Sequence, residues 1–411
     1  MKQPMSDDSR RLLCRLIFIA LCLLPTAVVV YRIFHPVTPQ QWSQRLQATL
    51  GIDALIDRVE TPQPNITILR SVHIRDSQLR TLARLGSVRI ATDSQRRINV
   101  DEPVTMSAAG LANLLQRLPE YLLHPGADQG VWKVELRQLT IADGPWETAR
   151  DQRTFSPVEI QVQRDDEQIV CLLRCRLLGQ TEPGEPIELL ATRTRDGESW
   201  RESIRFSTGV YALPTWLVSD LEIGLVELGD RCHFRGHVSA DRAPRGWNGQ
   251  FAGVFTHLDL EHLADQSGLA LGGTSRLVVR RCDFFGYQIG WLDASLESQY
   301  GWIGALALRG LEQLFRVQPT AVTDDRVLYS RLSCALRYVD GYVEVAEFEL
   351  RDRQNVQLHG GGQAYCQVGL EPFVRAVWGE QGAQSPITDA MVNVLHRFQI
   401  ISIPRTAAAP R

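Results

Sequence analysis

Val158-Glu159-Ile160-Gln161-Val162-Gln163 sets the terms for the whole chain: apolar and polar side chains strictly alternate, the period of a pleated strand with one face buried. The same signature recurs on both sides. Trp132, Val134 and Leu136 alternate with Lys133, Glu135 and Arg137, after which the phase switches so that Leu139 and Ile141 carry the apolar face, as a bulge would produce. Ile66, Ile68, Val72 and Ile74 share one parity, and Ala346, Phe348 and Leu350 alternate with Glu347, Glu349 and Arg351. Turn residues punctuate these runs at Asp196-Gly197, Gly209, Asp340-Gly341 and Gly360 to Gly362. The pattern predicts a mainly β body, an extended, twisted, mostly antiparallel and meandering sheet.

Three stretches depart from a period of two. Ala108, Leu111, Leu115, Leu118 and Leu122 fall at helical spacing after Ser107, a good N-cap, with Pro119 placed to kink or end the helix. Ile387, Met391, Val394 and Phe398 repeat the pattern after Ser385 and Pro386. A shorter helix is expected from Asp259 to Gln266. Packing against the sheet is the default expectation for amphipathic segments of this kind; lying on a membrane surface is the other.

Near the start, Leu16 to Tyr31 reads LIFIALCLLPTAVVVY without a charge. Extended to residues 12–34 it holds 23 residues, about 35 Å of helix at 1.5 Å per residue, enough for a hydrocarbon core of roughly 30 Å. Arg11 and Arg15 precede or enter the segment and Arg32 follows it, the flanks expected of a retained anchor whose long side chains reach the headgroups. Basic residues ahead of the segment place the N-terminus in the cytoplasm and the bulk outside. A cleaved signal peptide is the competing reading, but Pro25 to Val30 offers no pair of small residues for a cut. The expected organisation is a cytoplasmic tail at 1–11, an anchor at 12–34, a β-rich body at 35–403 with a sub-boundary near 207–215, and an unstructured tail at 404–411.

Composition excludes more than it identifies. The 411 residues are 44% apolar and 22% charged, which is globular and not polytopic. Net charge is −3, and residues 33–411 alone carry −6, so the body has no basic field for nucleic acid. Arg outnumbers Lys 42 to 2, read as coding bias in a GC-rich genome rather than phosphate recognition.

Candidate catalytic and metal sets fail on spacing. His359-Gly360-Gly361-Gly362 has the form of an esterase oxyanion loop, but no Gly-x-Ser-x-Gly nucleophile elbow accompanies it. His233 and His237 would share a strand face roughly 13 Å apart, too far for one zinc ion. Cys171 and Cys175 are separated by the same spacing and cannot pair with each other. Cys232, Cys282, Cys334 and Cys366 are well apart, which suits either one or two long-range disulfides or isolated buried thiols. Asn65-Ile66-Thr67 matches a glycosylation triplet of the kind that occurs by chance. No catalytic residue, metal ligand or cofactor site is expected.

Two segments, 272–298 and 332–365, each read strand, polar Gly turn, strand, a weak self-similarity that suits a sheet of repeating hairpins. Together with Leu50-Gly51-Ile52 and Pro62 to Asp76 after the apolar segment, Gly253 to Leu260, Leu271-Gly272-Gly273 with the run Ser275 to Val279, and Leu332 through Val339-Asp340-Gly341 to Gly362, the chain resembles the AsmA-like bacterial envelope proteins. The resemblance covers part of the chain. It implies an inner-membrane helix and a periplasmic sheet curled into a groove whose apolar inner face holds or passes phospholipid acyl chains. The groove-facing candidates are then Val158, Ile160, Val162, Ala346, Phe348 and Leu350. The expected partners are a phospholipid or other acyl-chain ligand, the membrane through one helix, and proteins of the envelope. Alternation looks the same in an open groove and in a closed sandwich core, and a scaffolding subunit with such a core stands beside the lipid reading. An extracytoplasmic hydrolase with its groups gathered from distant strands is the third reading.

Overall fold

The computed structural model describes residues 38–50, 53–63, 65–75, 81–92, 95–113, 130–143, 151–179, 184–197, 199–217, 228–229, 231–243, 246–262, 271–285, 288–315, 325–352, 357–360, 365–369 and 373. The expected anchor at 12–34 with its flanks, the expected helix at 385–398 and the tail at 404–411 lie outside them. Among the described residues no helix is long and apolar enough to cross a membrane.

Among the described residues the body is one sheet of twenty strands. Most are consecutive antiparallel neighbours: β1 (Asp53–Gln63), β2 (Ile66–Arg75) and β3 (Thr81–Thr92) open the meander. Beside β3 lie β4 (Arg96–Val100) and β5 (Val104–Ser107), two segments of one interrupted strand. The next position holds β6 (Gly130–Leu136) and β7 (Leu139–Ala142), which run parallel to β4 and β5. These are the parallel pairings among the described residues, and they require a crossover, which falls in the sequence between Ser107 and Gly130. The meander then resumes with β8 (Gln152–Arg164), β9 (Gln168–Leu177), β10 (Ile187–Asp196) and β11 (Ser199–Ser207). β12 (Leu213–Pro214) and β11 both border β13 (His233–Ala243). β14 (Gly246–Asp259), β15 (Leu271–Phe285), β16 (Gln288–Gly304), β17 (Arg326–Val339) and β18 (Tyr342–Asp352) follow in order. β19 (Gln357–Gly360) and β20 (Tyr365–Gly369) finish it. Hydrogen bonding thus runs unbroken past 207–215, through Ser203–Ser207 on β11 and His237–Asp241 on β13.

The expected phase switch after Leu136 is a gap between two strands: Leu136 faces Val158, Leu139 faces Phe155, and two residues intervene on each side. Elsewhere the switch occurs within a strand. Ser71, His257, Tyr300 and Glu347 each adopt positive φ, a conformation L residues reach mainly at bulges and turns. Around Ser71 both Leu69 and Val72 are buried, so Leu69 takes the inner position that parity assigned to Ile68. At Glu347 the inner face passes from Val345 to Phe348, and Ala346 turns to the opposite face.

The two flanks of the sheet differ. On one, two or three residues join β1 to β2, β8 to β9, β10 to β11, β13 to β14, β15 to β16 and β17 to β18. The turn Asp340-Gly341 has φ values of 49° and 85°, the pair of positive φ angles that a two-residue hairpin requires. On the other flank the connections are longer, and their described parts fold over one face of the sheet. Ser107 Oγ caps residues 108–113 by accepting from Gly110 N at 3.1 Å, as read from the sequence. Asp259 Oδ1 accepts from the backbone of Glu261 and His262 and starts the helical residues 260–262.

Two helices are absent from the sequence reading. α1 (Pro39–Leu50) begins with Thr38 Oγ1 accepting from Gln41 N while Gln41 Oε1 accepts from Thr38 N, a reciprocal cap with proline at the first helical position. It places Trp42 and Leu46 against the core and Ser43 Oγ donates to Ala54 O on β1. α2 (Ala305–Phe315) lies between β16 and β17 and lays Leu308, Leu311 and Phe315 over Tyr329, Leu332, Phe348 and Leu350.

Candidate functional site: an apolar strip along the inner face

Residues paired across a ladder point to the same side of the sheet. Following the pairs strand by strand therefore traces rows across the inner face. The row nearest the long connections runs Val88, Val100, Leu136, Val158, Cys175, Ile187, and all but Leu136 are buried. It shares a core with Tyr211 and Leu217 from the connection after β11 and with Leu111 from the one after β5.

One step toward the tight turns the covering thins, except at the β17–β18 end, where Leu314 and Phe315 of α2 pack with Tyr338 and Val343. The next row runs Ile90, Ile98, Val134, Ile160, Leu173, Leu189, Phe206, Val238, Phe251, Cys282, Leu292, Tyr338, Val343, Val368. Every member of these fourteen is apolar or weakly polar, and all but Val343 are half-buried. At ~4.8 Å per strand the row is about 60 Å long. A third row lies between it and the flank: Val162, Cys171, Ala191, Ile204, Ala240, Gly249, Phe284, Ile289. Phe234, Phe251 and Phe255 stack against one another beneath it, with ring centroids 5.0 to 5.9 Å apart.

The sequence-derived candidates divide among these environments. Val158 is in the buried row, Ile160 in the half-buried row and Val162 in the row beyond. Phe348 and Leu350 are on the inner face but roofed by α2, where Phe315 stacks on Phe348 at 4.7 Å. Ala346 lies on the other face, opposite Ala335 and Tyr365. Absent from the sequence reading were Leu173, Leu189, Phe206, Val238, Phe251 and Leu292, though each follows from parity once strand bounds and pairing are fixed.

Polar groups on this face are few and mostly satisfied. Tyr329 OH donates to Gly272 O at 2.8 Å and lies 2.8 Å from Ser298 Oγ. The crossing is so close that a Cβ on Gly301 would overlap Gly272 O and the Tyr329 ring. The six cysteines of the described residues are free thiols. Burial pushes Cys171, Cys232 and Cys282 up to about 11 and Cys175 and Cys334 up to about 12, so they sit in the face as small apolar groups. Cys232 is buried, while its neighbour His233 has its Nδ1 2.8 Å from Arg231 O and its ring edge-on to His257, with centroids 6.2 Å apart. Among the described residues no three His, Cys, Asp or Glu side chains are grouped to hold a metal ion. His359 pairs with Leu350 in the β18–β19 ladder, and Gly361 and Gly362 lie outside the described residues. The opposite face is laced with ion pairs such as Arg174–Glu188 at 2.8 Å, Arg280–Asp293 at 2.8 Å and Arg337–Glu344 at 3.4 Å, and Glu60 and Glu349 there each take two arginines.

Comparison with family models, with characterised proteins and with solved structures finds no match to this chain.

Proposed function

We propose that this protein is a non-catalytic, membrane-anchored envelope protein whose half-buried inner-face rows hold or pass the acyl chains of a phospholipid. Residues 12–34 serve as the anchor in the bacterial inner membrane, with the β body in the periplasm. The observation that carries the reading is the continuity of the strip from Ile90 to Val368, apolar at every strand it crosses. A closed core buries such a row as fully as the one beside it; from Ile90 to Leu292 this row stays partly exposed, while Val88, Val100, Val158, Cys175 and Ile187 beside it are buried. Each methylene moved from water onto such a surface gains roughly 0.8 kcal/mol, so a dozen of them give substantial affinity without polar contacts. The position of α1 supports the same reading: the apolar segment ends at residue 34, four residues before Thr38 caps α1, and α1 packs on β1, the first strand of the sheet. An anchor so placed sets the edge of the sheet beside the bilayer, and the strip leads away from it.

The test is photocrosslinking in the full chain with benzoylphenylalanine at Val238, on the inner face, and at Ser239, on the outer face. Phospholipid adducts at Val238 and none at Ser239 are expected. Adducts to protein at Val238 would transfer the strip to the scaffold reading, and adducts at neither position would end the lipid reading.

A further inference from the structure

Where the strip meets the tight-turn flank, its apolar character stops at one row. Arg164 pairs with Ile169, Ile169 with Arg193, and Arg193 with Glu202. Arg242 reaches Glu202 Oε2 at 2.7 Å and is paired in turn with Trp247. All of these lie on the inner face, directly above Val162, Cys171, Ala191, Ile204 and Ala240 of the strip. Ile160, Val162 and Ala191 pack there on buried Ile169 and Cys171.

Arg193 and Arg242 share one carboxylate, Glu202. Arg193 also engages Glu202 poorly: its Nε is 3.6 Å from Oε1, and that nitrogen is buried without a hydrogen-bond partner. The guanidinium carbon lies 4.6 Å from the Trp200 ring centroid, a cation–π contact. Burial, Arg242 and Arg164 hold Arg193 below its ordinary range, against the pull of Glu202. A buried donor left unmade is costly, and surplus positive charge beside an apolar surface is costly again, unless an anion completes the set.

We propose that Arg164, Arg193 and Arg242 form a phosphate-binding site at the rim of the strip, with Glu202 as an internal counter-charge that the phosphate partly replaces. The inference rests on the lipid reading for its most natural source, a phospholipid headgroup whose chains lie on the rows below, but the site's chemistry is that of any phosphate anion. Arginine's planar fork suits phosphate, and such charge-assisted bonds are short and strong.

The full chain in detergent micelles is titrated calorimetrically with short-chain phosphatidylglycerol, with diacylglycerol of the same chains, and with inorganic phosphate. Phosphatidylglycerol is expected to bind roughly tenfold more tightly than diacylglycerol, from one or two charge-assisted bonds. Arg242→Gln should remove that preference, and Glu202→Gln should enlarge it, because the competing carboxylate is gone; a merely structural ion pair predicts loss from both. Arg164→Gln serves where Arg242→Gln fails to fold. Binding of inorganic phosphate with the same variant pattern but no binding of either lipid supports the site, assigns it to free phosphate and ends the lipid reading instead. Equal binding of both lipids, unmoved by all three variants and with no phosphate bound, overturns the site and leaves the acyl-chain reading standing.

Discussion

The two halves of the inner face are made of the same residue types and have different fates. Val158, Cys175 and Ile187 are buried; Ile160, Leu173 and Leu189, each two residues along the same three strands, are partly exposed. Nothing in hydrophobicity separates the rows. What differs is the connections that leave the nearer flank. Turns of two or three residues have no side chains to spare for covering a sheet, whereas the described parts of the longer connections, 108–113, 208–217 and 305–315, do. Burial here is decided by loop length at a distance, not by the strand that carries the residue.

The sharpest way to break the comparison is a matched pair of truncations. Leu350→Ala, beneath α2 with no exposed surface, should cost about 2–5 kcal/mol through lost transfer energy and an unfilled cavity. Phe251→Ala in the half-open row should cost well under that despite removing more atoms, because part of the ring is already in water and no sealed cavity remains. Urea unfolding of both variants measures the gap, and equal losses would mean that the strip is sealed after all. Lipid adducts at Val238 should show the reverse order, weakened by Phe251→Ala and untouched by Leu350→Ala.

A smaller effect concerns pH. The thiols of Cys175 and Cys334 are raised from 9.0 to about 12 by burial, so the folded chain holds these protons longer than the unfolded one does. Their contribution to stability is fully present below about pH 9 and is lost as pH rises toward 12. The melting temperature should therefore fall across that alkaline window, and a Cys175→Ala, Cys334→Ala double variant should fall less steeply from its own starting value. Parallel curves would remove the thiols as the cause.

The smallest effect belongs to the tight-turn flank. Gly341→Ala places a side chain at φ 85° where nothing crowds it, so the cost is conformational alone, about 1 kcal/mol. A midpoint shift several times larger would show that this turn carries contacts beyond its own hairpin.

Much of this architecture was legible in the residues. Alternation in 158–163 and 132–136, with turn pairs such as Asp340-Gly341, is enough for a meandering antiparallel sheet, because a two-residue turn leaves the next strand nowhere else to pair. The bulges were not legible. A single residue at positive φ, such as Glu347, inverts parity after it, and a glutamate gives no notice of that; Ala346 was placed on the wrong face for this reason. α1 announced itself through Thr38-Pro39-Gln40-Gln41, a capping box that went unread. α2 did not, since Ala305 to Phe315 continues directly from a strand and its apolar spacing begins without a polar break. Of the strip, Ile160 and Val162 were found by parity, while its openness was out of reach because alternation is blind to what lies above it.

The meander has a consequence for size. No ladder joins β1 to β19 or β20 among the described residues, so this surface has no circumference to satisfy and its extent is free to vary. Inserting or deleting a whole hairpin would lengthen or shorten the path by about 10 Å, two strand spacings, while leaving every remaining side chain on its own side. Removing one residue from a strand does the opposite, keeping the length and turning the rest of that strand inside out. Selection on such a chain is thus lenient toward paired strands gained or lost together and severe toward single-residue gaps.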